Sequence, residues 1–286
     1  MEKFADLQYV RPDMEKVFAR VSGDIAALKE AKSYEEFKNA YMDFVEADTE
    51  LETAKTVAHI RNTINLLDSF YEGEMAYFNS QMPKYGILKK EMGEVIVASP
   101  FKGEMEKEFG SILLQNMEAQ KQLSDECIVD DQVEEAELVN QYMKTQAAAT
   151  VDFRGEQLGT YGLLKHMQST DRTERKAAFE AWANLYAGIA PKLDEVYDGL
   201  VKVRSGMAKK LGFESFIPMG YLRRRRFDYT AKDLKVFRKQ VREIIVPAAK
   251  ELYERQKEAL GIEHLYYYDE SLTSPDGNPV PVGDKE

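Results

Sequence analysis

The stretch from Ala147 to Arg175, AAATVDFRGEQLGTYGLLKHMQSTDRTER, constrains this chain more than any other, because it breaks an otherwise helical pattern with one small β-like motif and then starts a new helix. Thr150, Val151, Asp152 and Phe153 favour extended backbone, Arg154 and Gly155 can turn it, and Glu156 to Leu158 can return it. An isolated hairpin is therefore expected at about residues 149–159. Asp171 with Glu174 three residues later reads as a capping box, opening the helix that carries Ala178, Trp182, Leu185 and Ile189.

Before the hairpin, almost everything from Pro12 to about Lys144 reads as helix. Ser33 with Glu36 is a second capping box, followed at helical spacing by Tyr34, Phe37, Tyr41, Phe44, Val45 and Leu51. Met105, Phe109, Ile112, Leu113 and Met117 repeat the pattern after a turn at Pro100 and Gly103. These stripes are one face wide, which suits a packed antiparallel assembly of helices. Past the hairpin, Leu193, Val196, Tyr197, Leu200, Val203, Met207 and Leu211 form a seam whose helix should end at Lys209, Lys210 and Gly212. Thr230 with Asp233 opens a further helix carrying Leu234, Phe237, Val241, Ile244, Ile245, Ala248 and Leu252, which Pro247 should kink. The expected fold is all-α, a multi-helix assembly with that one short hairpin. The seam and the last stripe each need a partner, so apolar surface is expected to be left uncovered. The closing HLYYYDESLTSPDGNPVPVGDKE turns aromatic and then Pro/Gly-rich, and reads as the approach to more structure.

Composition removes several function classes. With 44% hydrophobic and 31% charged residues, the chain is too apolar to be disordered and too charged to be a membrane protein. No apolar run approaches the roughly 18 residues of a spanning helix, and MEKFADLQYVRPD lacks the basic and apolar regions of a leader peptide. The single cysteine, Cys127, excludes an internal disulfide and a cysteine-based zinc site. Cytoplasmic localisation and no membrane partner are expected. Asp125, Glu126 and Asp130 should raise the Cys127 thiol pKa, so it is a poor nucleophile. A net charge of −11 argues against general nucleic-acid affinity. One segment runs the other way: residues 223–242 carry nine basic and two acidic residues, including Arg223, Arg224, Arg225 and Arg226. Pairing with acidic helices or with a missing part of the molecule is the expectation for it, ahead of a nucleic-acid or anionic-peptide surface.

Catalytic chemistry is not supplied by the remaining residues. A zinc site needs about three converging ligands, often two histidines at i and i+4, whereas His59, His166 and His264 lie far apart in sequence. Phosphate-cradling glycine loops and a G-x-S-x-G elbow are absent, and Asp269 to Val280 lacks the glycine and acidic residue a calcium loop requires. No catalytic, cofactor-binding or metal residue is assigned.

From about Asn79 onward the chain resembles the N-terminal half of an oligoendopeptidase F-like enzyme, among the thimet-oligopeptidase-related zinc metallopeptidases. The segments that carry the resemblance occur in order: TVDFRGEQLG, LLKHMQSTDRTERKAAFEAW, VRSGMAKKLGFESF, YLRRRRFDYTAKDLKVFRKQV, VPAAKELYERQKEALG and YYYDESL. The resemblance implies a helical peptidase that encloses short peptides in a deep channel and cleaves them with one zinc ion held by an H-E-x-x-H helix. That motif is missing here, so no metal or catalytic residue can be carried over. The implied organisation is a helical domain over residues 1–165 that ends in the hairpin, followed by residues 166–286 as the start of the catalytic domain, cut before the zinc-binding helix. The implied partners are short peptides and the missing C-terminal half, with zinc as the cofactor of the complete enzyme and none bound by this chain. The other reading is a free-standing helical binding module on the same scaffold.

Overall fold

A computed structural model describes residues 4–280, 282 and 283. Helices dominate it, and the strands among the described residues are those of one antiparallel hairpin. The chain divides into two compact units, one built from residues up to Asn140 together with Asp198–Phe227, the other from Gln141–Tyr197 together with residues from Asp228 onward.

The first unit contains α1 (Met14–Glu30), α2 (Tyr34–Ile64), α3 (Ser69–Ala98), α4 (Lys102–Phe109) and α5 (Ser111–Leu123), with most of α6 (Val129–Ala148). Each long helix starts on an oxygen that satisfies a free backbone N–H: Asp13 for α1, Ser33 for α2 and Asp68 for α3. At Ser33 the capping box is half as expected, since the hydroxyl accepts from Glu36 N while the Glu36 carboxylate reaches Lys32 N. Phe37, Tyr41, Phe44 and Leu51 are buried, as their spacing requires, against Ile25 of α1 and Phe78, Tyr85 and Ile96 of α3. The stripe from Met105 to Met117 belongs to two helices. Gly110, at φ 86°, breaks it, so Met105 and Met117 are buried while Ile112 is 59% exposed.

In the second unit β1 (Val151–Phe153) pairs with β2 (Glu156–Leu158) in the register Val151↔Leu158. Arg154 and Gly155 both have positive φ, 58° and 86°, the two-residue primed turn whose twist matches the strands. α7 (Thr160–His166) follows, and α8 (Arg172–Lys210) starts in this unit, with Phe153, Leu163, Met167, Ala178 and Leu185 sharing a core. The second expected capping box is also half formed. Asp171 Oδ1 accepts from Thr173 N, but the Glu174 carboxylate turns away to His166 Nδ1 at 2.6 Å and Ser169 Oγ at 2.8 Å.

The last residues of α8 and the whole of α9 (Phe216–Arg223) return to the first unit, where Met207, Ala208 and Met219 pack on Ile128. The seam along α8 is mostly covered: Val196, Val203 and Met207 are buried and Leu193, Leu200 and Leu211 half-buried, while Tyr197 is 68% exposed. α10 (Ala231–Gln240) and α11 (Val246–Ala259) are joined by a π turn at Val241–Ile245. The backbone around Pro247 is therefore accommodated by one wide turn just before the ring, a usual outlet for a proline that cannot donate to the ladder. The expected uncovered apolar face is found here, with Phe237, Ile244 and Ile245 exposed by 59%, 63% and 57%.

The tyrosine-rich closing segment is docked rather than free. Asp269 is fully buried between Arg172 and Arg175, Leu272 is buried, and Gln256 of α11 donates to the carbonyls of Glu270 and Leu272.

Candidate functional site

The residues singled out in the sequence do not converge on a reaction centre. His59 is exposed, His264 is exposed beside Glu263 and Tyr266, and His166 is committed to Glu174. Among the described residues no group of three or more His, Cys, Asp or Glu side chains is arranged to hold a metal ion. The donor set does not fit the zinc that the resemblance implies, and no chemical step is derived through it. Cys127 is exposed, and its thiol is pushed up by hydrogen bonding to Asp125 and by burial, against a smaller opposing effect of Lys210. It is held as the unreactive thiol.

The basic segment separates into two parts. Residues up to Phe227 belong to the first unit and those from Asp228 to the second. Arg223 is paired within the molecule, its guanidinium meeting both oxygens of the buried Glu135 at 3.1 and 2.9 Å, while Arg204 meets the same carboxylate at 2.6 Å. Both arginines lie over the Phe216 ring, which keeps their planar heads in place. On α10 the ion pair among the described residues is the i,i+4 contact of Lys239 with Glu243. Lys232, Lys235, Arg238 and Arg242 are exposed or nearly so, without an ion pair among the described residues.

The first unit also holds a cleft of about 510 Å³. α2 contributes Tyr41, Phe44 and Asp48, α3 contributes Lys89 and Met92, α5 contributes Asn116 and Gln120, and α9 with its cap contributes Met219, Arg223 and Arg225. Its floor is apolar because the inward faces of α2, α3 and α5 continue into it. Its polar groups are mostly committed. Lys89 Nζ meets Asp48 Oδ1 at 2.9 Å and Oδ2 at 3.2 Å, and the buried Tyr85 hydroxyl donates to Asp48 Oδ1 at 3.0 Å, its own pKa raised by burial and then by that carboxylate. Asn116 Oδ1 is sealed from solvent and accepts no hydrogen bond among the described residues, and Arg225, which is exposed, forms no ion pair among them.

Arg225 sits in the cleft because of how α9 ends. Arg225 N donates to Leu222 O at 2.9 Å and Arg226 N to Tyr221 O at 3.1 Å, a Schellman cap that puts Arg225 at φ 54°. α8 and α11 end with the same pair of bonds, and there the left-handed position is Gly212 at φ 80° and Gly261 at φ 64°. A side chain at this position costs on the order of 1–2 kcal/mol relative to glycine. Of this site's polar residues, sequence reasoning named Arg223 and Arg225, and those only as members of a charge run; Tyr41, Phe44, Met117 and Met207 were named as core stripes. Asp48, Lys89, Asn116 and Gln120 carried no signal, since each is one polar residue on an amphipathic helix and they meet only through packing.

The helical units described above match two models of one peptidase family. The model of the Peptidase M3 N-terminal domain matches residues 4–124 and that of Peptidase family M3 matches residues 165–273. The chain belongs to peptidase family M3, and the match reaches well before Asn79, where the sequence resemblance began. Among solved structures it is 37% identical to PZ peptidase A, solved with an inhibitor, with a TM-score of 0.95 over 99% of this chain and 50% of the other. It is 35% identical to a Bacillus anthracis strain Ames protein assigned as an oligoendopeptidase F, with a TM-score of 0.93 over 98% of this chain and 52% of the other. A further protein assigned as oligoendopeptidase F is 35% identical, with a TM-score of 0.96 over 100% and 50%. The chain thus spans about half the length of these structures. Comparison with the curated proteins gave no match.

Proposed function

We propose that this chain is the non-catalytic helical half of a zinc-dependent oligoendopeptidase, shaping the channel that admits short peptides while the zinc ligands and the catalytic glutamate come from outside it. One observation carries the reading: both family M3 models match in order, together covering most of the chain, and no H-E-x-x-H occurs in the sequence. Without such a helix, the histidines and glutamates present cannot lower the pKa of a bound water toward neutrality. The proposed organisation is a helical domain over residues 1–165 and the beginning of the catalytic domain over residues 166–286, in line with the second family match starting at residue 165. The exposed stripe of Phe237, Ile244 and Ile245 suits a surface covered by the other half. Among the described residues no helix is long and apolar enough to cross a membrane, and we place the protein in the cytoplasm without a nucleic-acid partner.

The test uses this chain alone and then mixed with a separately produced H-E-x-x-H-containing half of a family M3 relative. Alone, it is expected to lose zinc on dialysis against a weak chelator and to leave a quenched short peptide uncut. The mixture is expected to cleave that peptide in a chelator-sensitive way. Stoichiometric zinc retention with cleavage by the chain alone would overturn the reading.

A further inference from the structure

We propose that the helical run over residues 231–259 is enclosed by a groove of the peptidase's other half, and that the rim of this groove is acidic along α10. The inference rests on reading this chain as half of a peptidase, and it names the chemistry of the surface that covers the run. α10, the π turn and α11 contain no buried residue. Val236, Phe237, Ile244, Ile245 and Leu252 are all exposed, although helices in proteins are held chiefly by packing of such side chains. Every residue of α10 except Leu234 is open to solvent, so the bare surface runs round the helix. Val236 and Phe237 project about 100° apart on it; a flat surface covers one of such a pair, whereas a groove covers both. This chain covers 50% of two of the solved structures it matches, so a protein of that length holds a second body large enough to form the groove.

Charge decides what lines the rim. α11 pairs its own charges at helical spacing, Arg255 with Glu251 and Lys257 with Glu254. Along α10 and the π turn, Lys239 meets Glu243, but Lys232, Lys235, Arg238 and Arg242 have no ion pair among the described residues. Lys232 also stands in the first turn of α10, where the helix dipole disfavours a cation. Cations interleaved with bare apolar side chains fit a partner that sets carboxylates beside an apolar floor. An anionic bilayer offers the same two chemistries on one plane, and its headgroups would repel the exposed Glu251, Glu254 and Glu258 of α11.

Calorimetric titration of the folded chain with the separately produced H-E-x-x-H-containing half of a family M3 relative tests this, with peptide cleavage by the mixture measured in parallel. Affinity is expected to fall at least about tenfold between about 0.05 and about 0.5 M salt, as charge pairs at a rim require. Lys235→Glu, Arg238→Glu and Arg242→Glu combined, all at exposed positions, should weaken binding at least about tenfold at the lower salt and remove most of the salt dependence. Lys102→Glu, Lys107→Glu and Lys121→Glu combined, the same change of charge at exposed positions of α4 and α5, should alter neither. Vesicles of anionic phospholipid should not bind the chain. If the halves associate and cleave peptide while salt and the triple substitution on the basic row leave affinity unchanged, the proposal is overturned and the peptidase reading stands. Failure of the halves to associate, an equal loss in the α4 and α5 variant, or saturable vesicle binding also overturns the proposal. Zinc retention with cleavage by the chain alone overturns the reading, and the proposal with it.

Discussion

Asp269 shows how one residue can hold a segment. Its carboxylate is buried and takes Arg172 Nη2 at 3.0 Å, Arg175 Nη2 at 2.8 Å and the backbone N of Tyr266 at 3.1 Å. Burial works to raise its pKa, and the two guanidiniums with the backbone donor outweigh that and hold it below the usual carboxylate range. Asp269→Asn keeps the shape but leaves the buried Arg175 without its counter-charge, a change that costs about 3 kcal/mol or more. Urea unfolding followed by the fluorescence of Trp182, the chain's single tryptophan, should report the loss, because Trp182 stacks on Phe179, which touches Tyr267 and Tyr268. A depressed carboxyl contributes stability that is complete above its unfolded value near pH 4 and is lost as pH falls through the lower folded value. Stability measured between pH 6 and about pH 3 should therefore decline less steeply in Asp269→Asn than in the parent. An identical slope would show that the carboxylate is not what fails in acid.

At the scale of the element, helices behaved as their periodicity requires wherever a partner exists, and the π turn marks where one does not. α10 and α11 are strongly amphipathic in sequence, yet Phe237, Ile244 and Ile245 face water. Exposed residues of this kind contribute little to the unit's own stability, usually within about 0.5 kcal/mol on substitution, but a contiguous apolar patch promotes association. The double substitution Phe237→Glu with Ile244→Lys is expected to leave the urea midpoint nearly unchanged and to suppress concentration-dependent light scattering. A large fall in midpoint would mean that the stripe is already buried in solution.

Across the whole molecule, most of the architecture was legible before any coordinate. The hairpin at Val151–Leu158, the starts of the helices at Ser33 and Thr230, and the ends at Gly212 follow from local chemistry: a turn needs residues that accept positive φ, a helix end needs an oxygen or a glycine. The order of six short segments was enough to point to family M3, and the absence of H-E-x-x-H is a property of the sequence itself. Less legible were the break at Gly110 inside an unbroken apolar stripe, and the docking of YYYDESL, whose Asp269 partners lie nearly a hundred positions away. Neither Glu174 nor Glu36 closes the expected capping box, because a better-placed donor stands within reach of each.

What the sequence by itself determined is the helical class, the hairpin and the family, since all three are written in short-range patterns of burial and capping. What only the tertiary structure decided is the company each polar residue keeps. Arg223 and Arg225 are neighbours in one basic run, yet packing gives Glu135 to the first and leaves the second facing a cleft with Asn116. Asp48, Lys89 and Asn116 come together because three amphipathic helices share a core, and the position of a polar side chain on such a core's rim is set by how the helices pack.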